Sequence, residues 1–173
     1  MGSVWAWRTV FVGLAAAITF FALLPFGASE TATPGPELTI CLVLAWVLRR
    51  PDYVPPWLLV AVILMQDALL MRPLGLWTLI VLLAAEWQRR RVDQTEALPF
   101  WSEAGSAALT ILAAFAAQYL ALVLLLAERP PLTGQALHAL ATVVFYVPAA
   151  LFSMGLGVRR LAPGELDSLG SRA

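Results

Sequence analysis

Asp67 lies in the stretch Val60–Leu70, which is apolar apart from Gln66 and Asp67 itself. A carboxylate held in hydrocarbon costs about 2.5–3.5 kcal/mol on insertion scales. Such a residue needs a partner, a local bend or a function. Three readings are open for it. It pairs locally and supports a turn near Arg72, it contacts another helix or a partner protein, or it serves as a ligand or proton site. Gln66 projects at a different angle and can hydrogen-bond across helices.

The other reactive residue types are sparse. Glu86 precedes the run Arg89, Arg90 and Arg91. Glu86 and Arg90 stand four apart, the spacing that brings side chains together on a helix. This predicts an interfacial ion pair, beside a basic cluster that sets topology, meets a cytoplasmic partner or attracts anionic lipid headgroups at about 1 kcal/mol per charge. His138 is the single histidine and Cys41 the single cysteine. One histidine makes no multi-histidine metal site, so His138 reads as an interhelical or interfacial hydrogen-bonding group. Cys41 sits in an apolar run and reads as a small buried hydrophobe, with no intrachain disulfide open to it. Glu103 follows Ser102 at a helix start, where the dipole favours an acid. No phosphate-binding glycine loop, nucleophile elbow, zinc motif or nucleic-acid motif is present, so no metal, cofactor or catalytic set is expected.

Composition says what must position these groups. The chain has 173 residues, 61% hydrophobic and 13% charged, with a mean hydropathy of +0.81. Soluble domains carry about 25% charged residues, so a water-soluble fold is excluded in favour of membrane spans. Net charge is zero and gives no global attraction for nucleic acid. Six apolar segments are predicted, at about 9–26, 36–49, 56–71, 74–88, 103–127 and 133–157. The middle three are short, since fifteen helical residues rise only about 22 Å against a hydrocarbon core of about 30 Å. Pro51, Pro55, Pro56 and Pro73 separate them.

Arginine distribution predicts orientation. Arg8, Arg49, Arg50, Arg89, Arg90, Arg91, Arg159, Arg160 and Arg172 fall at the termini and in alternate loops, against Arg72 and Arg129 in the others. The positive-inside rule then places both termini in the cytoplasm, which requires an even number of spans. The expected fold class is an all-α integral membrane protein, one domain over 1–173 with six transmembrane helices. Trp5, Trp7, Trp57, Trp87 and Trp101 flank spans as interface anchors. Gly13 with Ala17, Ala104 with Ala108 and Ala113 with Ala117 have the four-residue spacing that lets helices approach. The loops are too short for a soluble catalytic module.

One stretch resembles a known family. Pro36, Glu37 and Leu38 enter the second apolar helix, and Gln66 and Asp67 precede Leu74 and Gly75. This is similar to the rod shape-determining MreD family, which typically has a Pro-Asp-Leu-like entry and a Leu-Gly eight positions after an Asp. Asp67 to Gly75 is that spacing, and Glu37 replaces the family's Asp. The motif region covers about 36–91, and the hydrophobic profile nearly the whole chain. The family often has Gly four residues before the Asp and Gly after its turn, where this chain has Ile63 and Met71-Arg72.

The resemblance implies a bacterial cytoplasmic (inner) membrane protein serving rod cell shape and lateral peptidoglycan synthesis. It implies a non-enzymatic scaffold of the elongation machinery, with MreC as partner and MreB, RodA and a class B penicillin-binding protein in direct or indirect contact. The site residues it points to are Asp67, Gly75, Pro36, Glu37 and Gln66, with Gly75 allowing close backbone approach. Six short spans in a chain of this length also resemble the substrate-binding subunits of energy-coupling-factor transporters. That alternative is a small-molecule binder with Asp67 near its outward pocket.

Overall fold

The computed structural model describes residues 2–24, 35–94, 99–127 and 131–158. These form six α-helices: α1 (Gly2–Leu23), α2 (Leu38–Val47), α3 (Pro56–Leu69), α4 (Leu76–Gln94), α5 (Phe100–Leu124) and α6 (Leu132–Gly155), with a 3₁₀ turn at Pro51–Tyr53 between α2 and α3. Arg129, Arg159, Arg160 and Arg172, used above for orientation, lie outside the described residues.

Proline starts three of the helices. Pro55, Pro99 and Pro131 occupy the N-cap positions of α3, α5 and α6. There a fixed φ is pre-organised for the helix and the missing N–H costs nothing. Left-handed residues end three of them. Met71 (φ 54°), Leu126 (φ 52°) and Gly157 (φ 96°) follow α3, α5 and α6. The next residue in each case donates back into the helix: Arg72 to Asp67 O, Ala127 to Leu122 O and Val158 to Ser153 O. That closure satisfies orphan carbonyls at the helix end.

The boundaries shift by up to three residues from expectation, and two shift further. α1 begins at Gly2, seven residues before the predicted start, because Arg8 does not interrupt it. Its guanidinium lies over the Trp5 and Trp57 rings and donates to the Asp52 carbonyl. α4 runs on to Gln94 through the arginine cluster, which is helical rather than loop.

Three helical stretches are long and apolar enough to cross a membrane: Val4–Leu23, Phe100–Leu124 and Leu132–Gly155. Only 17%, 28% and 28% of their most apolar windows is buried within the protein, so most of their apolar surface faces outward. Leu38–Val47 and Pro56–Leu69 are shorter apolar helices.

α2 is the centre of the bundle. Every residue from Thr39 to Val47 is buried. α6 packs along it, with α4, α1 and α5 on its other sides. An amphipathic stripe is absent because, past the exposed Leu38, every side of α2 is covered. Trp46, fully buried, meets Phe11 at 5.5 Å, Trp7 at 6.0 Å and Tyr53 at 6.2 Å between ring centroids. Trp7 also stacks on Tyr53 at 5.5 Å. This aromatic cluster joins α1, α2 and the 3₁₀ turn.

Trp46→Ala removes the largest fully buried side chain and leaves a cavity. We expect a loss of about 3–5 kcal/mol, read as a lower unfolding midpoint in mild detergent. Trp101→Ala, at an exposed position on α5, should leave the midpoint almost unchanged.

Candidate functional site

Polar side chains concentrate at the two ends of α2. One end carries the α3–α4 turn, here the hairpin end. The other carries Arg8, Arg50 and Arg89, here the arginine-rich end.

Asp67, fully buried, is the keystone of the hairpin. Its Oδ2 accepts from the Gly75 backbone N–H (3.2 Å), the Thr78 backbone N–H (3.2 Å) and the Thr78 hydroxyl (2.8 Å). Gly75 occupies the N-cap position of α4, where its carbonyl accepts from Leu79 at 2.9 Å. Glycine has no side chain to cap with, so a carboxylate eight residues upstream on α3 caps α4 instead. It also places a negative charge at the positive end of the α4 dipole. This geometry is both a local pairing across the turn, through Gly75, and a contact with the next helix, through Thr78.

Gly75 acts through its backbone, which corrects the expectation of close helix approach. A Cβ built there meets nothing within 4 Å, whereas φ is +83°. Glycine is the residue that adopts that conformation without steric cost. Met71 holds the turn's other left-handed position, at φ 54° with its side chain exposed.

The same end holds Glu37 and Gln66. Glu37 is the N-cap residue of α2 and pairs with Arg72 at 2.6 Å. Its backbone N–H donates to the Thr142 hydroxyl at 3.0 Å, and Cys41 Sγ donates to the Thr142 carbonyl at 3.3 Å. Gln66 Nε2 donates to the hydroxyls of Thr19 (2.6 Å) and Thr39 (3.1 Å), tying α1, α2 and α3 together. Pro36 is half-buried immediately before this cluster. His138 packs edge-on against Phe115 at 4.8 Å, and Gln135 donates to Gln118 at 3.2 Å.

The arginine-rich end contains a buried ion pair that sequence reasoning missed. Arg49 and Glu103 lie 3.0 Å apart, and both side chains are 2% exposed. Arg49 also donates to the Ala150 carbonyl at 2.7 Å, and the Tyr146 hydroxyl donates to Glu103 at 3.0 Å. Trp46 Nε1 donates to the Ser153 hydroxyl at 3.2 Å. The pair joins α2, α5 and α6. Its sequence signal was only that Arg49 and Glu103 flank apolar segments at the same end, where they read as a topogenic charge and a helix start.

Glu86 pairs with Arg89, three residues on, and not with Arg90. Arg89 also donates to the Val54 carbonyl, so it faces the bundle while Arg90 is exposed. Arg91 lies over the Trp87 ring at 5.4 Å. The small-residue pairs do not mark close packing inside the chain. Gly13, Ala17, Ala113 and Ala117 are exposed, and Ala104 and Ala108 are half-buried. Among the described residues, no group of three or more His, Cys, Asp and Glu side chains is placed to hold a metal ion.

These clusters hold helices to helices: each buried carboxylate is engaged by donors from another segment of the chain. The fold is all-helical, with three helices long and apolar enough to span a membrane. Comparisons with models of known families, with curated proteins and with solved structures find no match to this chain.

Two substitutions test the hairpin in opposite directions. Met71→Gly should raise stability by about 1 kcal/mol, by relieving a left-handed non-glycine residue. Gly75→Ala should lower it by about 1–2 kcal/mol for the same steric reason. Unfolding midpoints in one detergent read both.

Proposed function

We propose that this chain is a six-span protein of the bacterial cytoplasmic membrane, both termini inside, acting as a non-enzymatic scaffold of the MreD type in lateral wall elongation. The observation that carries the reading is the Asp67–Gly75 hairpin. The spacing on which the resemblance rests corresponds to one physical unit, a carboxylate capping the next helix through the Gly75 N–H. Glu37, the counterpart of the family's acid, lies at the α2 entry and reaches the same turn through Arg72.

Orientation follows the arginines. Arg8, Arg49, Arg50, Arg89, Arg90 and Arg91 belong to one end of the bundle, and Arg72 to the other. The arginine-rich end then faces the cytoplasm. α2 and α3, at about 15 and 21 Å, cross only in the company of longer neighbours, which short spans do by packing and local thinning. Many polar side chains are buried and many large apolar ones exposed, which suits a subunit that binds membrane spans laterally. MreC is the expected direct partner. MreB, RodA and a class B penicillin-binding protein are expected directly or through it.

The test is recovery of partners with the tagged chain in mild detergent, identified by mass spectrometry. MreC or the synthase pair should copurify in stoichiometric amount, and Asp67→Ala should reduce that recovery several-fold at equal expression. Recovery of a vitamin-like small molecule with an ATPase module, and no wall-elongation partner, would overturn the scaffold in favour of a transporter subunit.

A further inference from the structure

A groove of about 540 Å³ opens on the bundle surface between α1 and α3. It runs from Val12 and Leu58 to Leu23 and Leu69, with Ala16 and Ala61 among its lining residues. Thr19 and Gln66 are the polar residues along it, and they bond to each other at 2.6 Å. The groove therefore offers no unmet polar group to a ligand.

Its length is informative. The twelve residues of α1 from Val12 to Leu23 span eleven helical steps, a rise of about 16 Å. One leaflet of a hydrocarbon core about 30 Å thick is about 15 Å deep. The groove stops where the two helices are pinned together. Trp5 and Trp57 pack at 6.4 Å, and the Arg8 guanidinium lies over both rings at 4.9 and 5.9 Å. Beyond that pin, toward the hairpin end, Thr19 and Gln66 bridge α1 and α3 at the floor of the groove.

We propose that this groove binds one hydrocarbon chain of a bilayer lipid, drawn from the leaflet at the hairpin end. A partner helix fits it less well. A full membrane-spanning helix would run into the Trp5–Trp57 closure. A single flexible chain matches the depth and the largely apolar lining, whose polar residues Thr19 and Gln66 bond to each other. The site requires only that these helices lie in a bilayer and is independent of the scaffold role.

The full chain is reconstituted in nanodiscs of phosphatidylethanolamine and phosphatidylglycerol, moved to mild detergent and weighed by native mass spectrometry. The unmodified chain should keep a lipid through delipidation, and Ala16→Phe and Ala61→Phe should lose it. Val144→Phe, on the exposed surface of α6, should keep it. Placement is read separately, on surface variants that do not disturb the core. Phosphatidylglycerol with brominated chains should still quench Met65→Trp after delipidation, and should no longer quench Leu140→Trp. Equal lipid retention in the groove-filled variants, or equal loss of quenching at 65 and 140, overturns the proposal. Release of a copurifying membrane protein by Ala61→Phe with lipid retention unchanged overturns it too, and assigns the groove to a partner helix.

Discussion

A ten-residue helix buried from its second residue to its last has to be held at both ends, and the arrangement of this protein follows from that constraint. α2 begins at Glu37 and is followed, past its last turn, by Arg49. Each charge suits its end of the helix dipole, acid at the N-terminus and base at the C-terminus. Each is buried, so each needs a counter-charge from elsewhere in the chain. Arg72 in the α3–α4 turn answers Glu37, and Glu103 at the start of α5 answers Arg49. The turn that presents Arg72 is in turn shaped by Asp67. The two ion pairs thus connect α2 to the α3–α4 hairpin at one end and to α5 and α6 at the other.

Low polarity around these groups makes the arrangement specific. An unpaired charge inside an apolar bundle is costly, whereas a paired and hydrogen-bonded one is tolerated. The remaining polar side chains follow the same logic. Gln66 links Thr19 and Thr39, Gln88 reaches Thr110 at 2.8 Å, and Trp46 reaches Ser153. With much of the hydrogen bonding turned inward, the outer face carries mostly Leu, Phe, Val, Met and Trp. An apolar surface of this kind engages its surroundings through shape and dispersion forces, not through fixed charges.

The apolar segments and their proline boundaries were legible in the sequence because both are local. A run of hydrophobic residues and a residue without an N–H act on their own neighbourhood. Asp67 was legible as an anomaly, and its link to Gly75 as a spacing. The physical content of that link was not, because it depends on α3 and α4 folding back so that a carboxylate reaches a glycine N–H. Arg49 and Glu103 stand 54 positions apart in the chain. Nothing local tells a charge that flanks a span at the membrane surface from one drawn inside. Arg89 taking Glu86 from Arg90 has a similar origin, since the Val54 carbonyl selects which arginine faces inward.

The most direct test of this account is a double-mutant cycle on the Arg49–Glu103 pair, using Arg49→Met and Glu103→Leu, with unfolding measured in one detergent. If α2 is held by a buried ion pair, each single variant strands a charge and should lose about 3–5 kcal/mol. The double variant should then lose no more than either single one. Single effects that simply add, within about 0.5 kcal/mol, would contradict the account and mean that the two charges fold independently.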